Sequence, residues 1–508
     1  MNKFKRHVSG LSLVLALLMV LTACGGGSKG GEEASGTQAS GGESANSGDT
    51  PEIVMPFFVL NGIPEDMQAV NDEINKITKE KIGATVKLMP ISYGTYGQQT
   101  NLMLTGNEQV DLMVVGTWFN YTTQVAKNQL LPLDDLLAQY GQDIVKTLGD
   151  NYISAGKVKG KTYGVATMRD LADMYGLVIP KDVLDKYQIK TEDIKTFDDV
   201  GNLLATIKKN EPDSTPLVPF GPGDSLLDNY MTYDNLGDKL GVLPGDATDL
   251  KVVDWFEQPE YADLLNKIRS WYEAGFIMKD AATNRDSGLE LMKAGRGDVL
   301  LTRIKPGYAE QESRLIGKPV VTIPLTQPQA RTSSVANMMW GIPRNAKYPD
   351  KAMQMLNLMF TDKDVANLLA WGIEGKHYVV KSDGVAGYPD GVDQNNSKYN
   401  LNQGWMFGNQ FLTYVWEGDS PDLWKQLQAF NDSAVPSKAL GFTFDQTPVK
   451  TEVAAVQNVL NQYKMALEWG TVDPAKVLPE FRKKLKDAGI DKIIAEKQKQ
   501  LDEWAASK

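Results

Sequence analysis

Hydrophobic residues gather along this chain in two different ways. Residues 11–21 form a nearly continuous apolar run, broken only by Ser12, and Lys3, Lys5 and Arg6 precede it. A basic start followed by a short greasy core has the order of a secretory signal. A membrane-spanning helix needs about 20 apolar residues, so this run is too short to remain as a span. Residues 25–50 then carry almost no apolar side chains and are more than half Gly or Ser. Such a stretch cannot bury enough surface to order itself, and as a coil it reaches roughly 25–30 Å.

From residue 51 onward, apolar positions recur with the periods of strands and helices. Ile53-Val54-Met55, closed by Pro56, predicts a strand. Met67, Val70, Ile74 and Ile77 predict a helix over 66–82, ending at Gly83. A second strand over 85–89 leads into a Tyr/Gly loop, Tyr93-Gly94-Thr95-Tyr96-Gly97-Gln98. A third, over 111–115, runs into Gly116-Thr117-Trp118-Phe119-Asn120-Tyr121. Strand, helix, strand, helix, strand implies a parallel sheet covered by helices. Ligands of such sheets sit beyond the carboxyl ends of the strands, where both aromatic loops fall.

Further along, 157–166 reads as a hairpin, and strands are expected at 175–179, 217–220, 298–302, 320–325 and 336–342. Helices are expected between them at 181–187, 197–210, 261–274 and 288–293, then at 350–360 and 362–371. Residues 384–420 are polar, rich in Gly and Asn, and interleaved with aromatics. An amphipathic helix over 451–469 ends at Gly470, and Asp473-Pro474 starts the next one. A last helix is expected at 491–504.

Composition sharpens this picture at three points. Cys24 is the sole cysteine in 508 residues and closes Leu21-Thr22-Ala23-Cys24, which resembles the lipobox of bacterial lipoproteins. There the cysteine is lipidated and becomes the first mature residue; the alternative is an ordinary signal cut near Ala23. Removing 23 residues leaves 508 − 23 = 485, enough for two domains and with no disulfide possible. A net charge of −11 argues against a nucleic-acid partner.

Enzyme chemistry is sparse. After cleavage His377 is the only histidine, so no histidine-based metal cluster can form, and there is no Gly-x-Ser-x-Gly elbow. Gly160-Lys161-Thr162 ends like a phosphate loop, but Ala155 stands where its first glycine belongs. The oxygen-rich stretches 280–290 and 390–396 lack calcium-loop spacing and read as loops. Neither a metal nor a cofactor is expected. With 64 acidic residues, the carboxylate pair of a glycosidase stays open.

Aromatics in polar loops carry the positive signal. Sugars present flat C–H faces that stack on rings and hydroxyls that pair with amides and carboxylates. Trp118-Phe119-Asn120-Tyr121 and Gln403-Gly404-Trp405-Met406-Phe407-Gly408-Asn409-Gln410 have that mixture. Trp255, Trp271, Trp424 and Trp469 sit on helical faces and read as core.

Several of these stretches, in this order, resemble family 1 of the extracellular solute-binding proteins. They are Val110-Asp111-Leu112-Met113 with its aromatic loop, Gly160-Lys161-Thr162-Tyr163-Gly164-Val165-Ala166, and Tyr175-Gly176-Leu177-Val178-Ile179-Pro180. Trp340-Gly341-Ile342-Pro343 and the helix that follows it fit as well. Residues 364–379 and the tail from Gly470 resemble a LipO-like lipoprotein subgroup.

The resemblance implies a two-lobe α/β fold, each lobe a mixed, mainly parallel sheet, with a ligand cleft between. It implies a signal peptide over 1–23 and a tether over 24–50. Lobe one would hold 51–166 and 327–383, and lobe two 167–326 and 384–508. Its implied ligand positions are Trp118, Asn120, Arg169, Asp170, Asn337 and Trp340, with Glu374 and His377 from the subgroup motif. Tyr93, Tyr96, Trp405, Asn409 and Gln410 join them from the loop chemistry. Lys305 and Pro306 stand where better-understood sugar binders carry an aromatic. The implied role is a monomeric, lipid-anchored receptor that takes an oligosaccharide, or another polar solute such as a peptide, to the permease subunits of an ATP-binding-cassette (ABC) importer. The implied function is binding without catalysis.

Overall fold

The computed structural model describes residues 50–60, 62–245 and 249–507. Cys24 and the run before it lie outside the described residues, as does the Gly/Ser stretch up to residue 49.

β1 (Glu52–Val59) and β2 (Thr85–Ser92) pair in parallel across α1 (Met67–Ile82), with Ile53 opposite Val86 and Val59 opposite Ser92. β1 is buried from Ile53 to its end, as a strand covered on both faces must be. It does not stop at Pro56. Val54 donates its N–H to the Asp111 carboxylate at 2.9 Å and accepts the Asp111 N–H at 2.9 Å. Even-numbered backbone groups of β1 therefore face away from β2. The N–H that Pro56 lacks falls on that side, so the β1–β2 ladder loses nothing. Asp111 also accepts the N–H groups of Lys347 (2.7 Å) and Tyr348 (3.0 Å), tying three distant segments together.

The expected loop at 93–98 is instead the first turns of α2 (Tyr93–Thr105). Tyr96, Thr100 and Met103 form its buried stripe, while Gly94 and Gly97 fall on its exposed side. β3 (Met113–Val115) follows, then a single 3₁₀ turn (Thr117–Phe119) and α3 (Tyr121–Ala126). Met339–Gly341 lies antiparallel to both β3 and Val165–Ala166, so Met339 faces Val115 on one side and Ala166 on the other. The hairpin pairs Lys157 with Thr162 around Lys159 and Gly160, both at positive φ.

Buried side chains form two large, separate cores. The first takes residues from Ile53 to Leu171 and from Ala330 to Leu369. The second holds Tyr175 to Ile323 and the C-terminal helices, and is built on a four-stranded sheet. In that sheet Met174–Pro180 lies between Val320–Pro324 and Val299–Ile304, antiparallel to both, and Leu217–Val218 completes the edge.

The chain passes between the cores on strands that lie side by side. Asp173 and Gln329 exchange backbone hydrogen bonds, both 2.9 Å. Gln329–Ala330 pairs in parallel with Val435–Pro436. Two stretches depart from the expected division: Met168 and Leu171 bury in the first core, although the second lobe was expected to begin at 167. Tyr399, Leu401, Met406 and Phe407 bury in the first core, although 384–508 was assigned to the second lobe. Apolar side chains within a polar segment go to the nearest uncovered core, and here that is the end of β1.

Candidate ligand-binding site

β1, β2 and β3 run the same way, and the aromatic residues collect beyond their carboxyl ends. Tyr93 follows β2 and is 47% exposed; Trp118 follows β3 and is 50% exposed. Trp405 is half-buried, with its ring centroid 6.4 Å from that of Trp118. Phe58 lies beneath, 5.2 Å from Tyr93, 5.4 Å from Phe119 and 6.1 Å from Trp405. Three partly exposed rings thus rest on a buried aromatic layer. Val165–Ala166 is parallel to β3 and leads directly into the crossing at 173. The platform and the crossing strands therefore lie toward the same end of the first lobe.

Gln403 holds Trp405 in this place. Its amide accepts the Leu60 N–H (3.1 Å) and donates to the Phe58 carbonyl (3.2 Å). Thr167 Oγ1 donates to the Trp405 carbonyl at 2.9 Å. These supporting residues were not expected from the sequence, although Gln403 heads the motif that singled out Trp405.

Where the chain crosses, the structure gathers a charged floor. Arg169 Nη1 reaches the Asp170 carbonyl (2.7 Å) and carboxylate (3.2 Å), and its other nitrogen bonds the Asn337 side-chain oxygen. From the second lobe, Lys305 stands 3.3 Å and Arg303 3.5 Å from Asp170, and Arg303 pairs with Asp173 at 2.6 Å. Burial disfavours the Asp170 carboxylate, but Lys305, Arg169 and Arg303 outweigh it and hold its carboxyl well below the usual range. So the position where an aromatic was expected carries a lysine that links the two lobes. Arg169, Asp170 and Asn337 come together here, but all three are buried as the molecule stands.

Tyr96 and Trp340 leave the set of surface-presenting residues. Tyr96 is fully buried, its hydroxyl donating to the Val114 carbonyl at 2.9 Å. Trp340 is equally buried and donates from Nε1 to the Met406 carbonyl at 2.6 Å, supporting the Trp405 turn from below. Asn409 and Gln410 are half-buried; Asn409 caps the next 3₁₀ turn, and the Gln410 N–H bonds the Met168 carbonyl. His377 accepts the Ile373 N–H at Nδ1 (2.9 Å) and meets Asp66 at Nε2 (2.9 Å). That bond, with Lys376 beside it, lowers the Asp66 pKa. His377 thus fastens its turn to the start of α1, apart from the platform, and Glu374 on the same turn is exposed. Asn120 is exposed beside Trp118, in left-handed backbone (φ 57°) between the 3₁₀ turn and α3.

Comparison with known proteins fits this geometry. Residues 61–366 match the family model described as bacterial extracellular solute-binding protein. The chain belongs to that family. The C-terminal part of the solute-binding protein, 438–506, matches a domain of unknown function, DUF3502. Over their full lengths it is 30% identical to a carbohydrate ABC transporter substrate-binding protein of Streptococcus pneumoniae. It is 23% identical to the lipoprotein LipO of Bacillus subtilis, over 67% of this chain and 70% of that one.

Among solved structures, the N-glycan transport solute-binding protein NgtS of Streptococcus pneumoniae superposes with a TM-score of 0.78 at 27% identity. That match covers 89% of this chain and 98% of the other. NgtS in complex with Man1GlcNAc and with Man5GlcNAc gives 0.68 and 0.67. The two-lobe architecture of this solute-binding protein is that of its family.

Proposed function

We propose that this solute-binding protein captures an oligosaccharide of the N-glycan type at the platform of Tyr93, Trp118 and Trp405. It then passes the sugar to the permease subunits of an ABC importer without chemical change. The observation that carries this reading is the platform itself. Large rings kept partly in water over a packed aromatic base cost solvation unless something stacks on them, and a sugar face does so. A receptor of this kind works by binding its solute more tightly when the lobes have closed.

Incubation of the purified protein with Man5GlcNAc tests the reading directly. Saturable binding with the sugar recovered intact is the expected result. Released monosaccharide would favour the carboxylate-pair glycosidase, and no binding would favour a peptide or another polar solute. Membrane attachment is assigned to a lipid on Cys24. Cys24→Ser should leave the fold intact and move the protein from the membrane fraction to the medium.

A further inference from the structure

A hollow opens beside Trp118. It lies between α2 and α3 and encloses about 350 Å³, near the lower end of the roughly 300–1,000 Å³ of small-molecule sites. Trp118 and Phe119 form its apolar wall. Apart from Gly97, the rest is polar: the amides of Gln98, Asn101, Asn120, Gln124 and Gln129, the Thr123 hydroxyl and the Lys127 ammonium, with no carboxylate. Gln124 is only 8% exposed, and its side-chain Oε1 has no hydrogen-bond partner among the described residues. Leaving such a group unpaired is costly; Oε1 itself is shielded from solvent, and a turn of the amide toward the hollow would let a ligand hydroxyl satisfy it. Amides both donate and accept, as hydroxyls do.

Because Trp118 borders both the platform and this hollow, a glycan stacked on its ring could continue into it. We infer that the α2–α3 hollow is an outer subsite for a further arm of a branched, neutral oligosaccharide. The inference rests on the carbohydrate reading above and adds a preference for larger glycans over their cores.

Calorimetric titration of the full-length protein with Man1GlcNAc and with Man5GlcNAc separates the two ideas. Gln124→Leu removes the unpaired amide, and Asn101→Trp fills the hollow from an exposed position, should the first variant fold poorly. Each should weaken Man5GlcNAc by about 5- to 10-fold, the loss of one or two buried hydrogen bonds, and leave Man1GlcNAc within about twofold. Unchanged Man5GlcNAc affinity in a folded Asn101→Trp protein overturns the subsite while leaving the platform standing. So does an equal loss for both sugars. If these variants lower transport alone, the hollow serves the importer rather than the sugar. A wild-type protein that binds neither sugar removes the carbohydrate reading, and the subsite with it.

Discussion

Trp118 and Trp405 lie edge to face, yet truncating them should have different consequences. Trp118 is half exposed, and its loss opens no cavity. Trp118→Ala should weaken sugar binding by about 1–3 kcal/mol, roughly 5- to 150-fold, with little change in the unliganded Tm. Trp405 packs against Phe58, so Trp405→Ala should also cost stability, though less than the about 3–5 kcal/mol of a fully buried tryptophan. A Trp118→Ala protein with intact affinity would remove the ring from the site. Calorimetry and thermal unfolding of the same two variants give both readouts.

Asp254 offers a test by pH. Burial raises its carboxyl to about 6, against the 2.9 Å hydrogen bond from the Phe256 N–H, which lowers it. A folded-state pKa above the unfolded value of about 3.9 means the ionised form is the poorly tolerated one. The penalty that Asp254 imposes on the folded state should therefore shrink as pH falls from about 7 to about 4. Asp254→Asn, which can still cap the turn, should unfold at higher temperature than wild type at pH 8. The advantage, at most about 2–3 kcal/mol, should vanish near pH 4. An equal Tm difference at both pH values would contradict this.

Side chains were legible in the sequence only as far as the element beneath them was. Tyr93 and Tyr96 look alike as aromatics beside glycine; helical rotation turns the first outward and the second into the core. The glycines at 94 and 97 hid the helix.

Among the elements, the segment at 403–410 shows what periodicity could not supply. Its aromatics read as ligand chemistry, but its place on the first lobe depends on Gln403 meeting Phe58, more than three hundred residues away. The Met-rich and amphipathic helices were readable because one face of each declares itself. The C-terminal helices are another matter of placement. Lys497 on Ile490–Ala506 is fully buried, bonded to the Gly241 carbonyl at 3.0 Å and to the Asp238 carboxylate. Asp238 also receives Gln446 at 2.9 Å. The region matching DUF3502 is thus part of the second lobe's core rather than an appendage. Lys497→Ala should cost about 3–5 kcal/mol, because it strands a shielded carboxylate. Denaturant unfolding monitored in Lys497→Ala and Lys497→Ala/Asp238→Asn checks this. The second change should restore part of the loss, and a single variant as stable as wild type would detach the tail from the core.

At the scale of the whole molecule, two lobes and crossings near 167 and 327 followed from the order of motifs, whereas the pairing of the crossing strands did not. Those strands, at 173, 329–330 and 435–436, are short, separated by more than a hundred residues, and polar enough to pass for loops. Side by side, they make a narrow joint with the Asp170–Lys305 and Asp173–Arg303 pairs at its edge. Ion pairs at a pivot move little when the lobes rotate, so closure need not break them. The work of closing falls to the sugar, which must contact both lobes at once to shift the balance. Small-angle scattering should therefore show the radius of gyration falling as Man5GlcNAc saturates the protein. A Trp118→Ala/Trp405→Ala double variant at the same sugar concentration should keep the unliganded value. Should the wild type bind the sugar and keep its dimensions, the joint would be rigid. Release to the importer would then have to come from the permease prying the sugar off one lobe, not from reopening of the cleft.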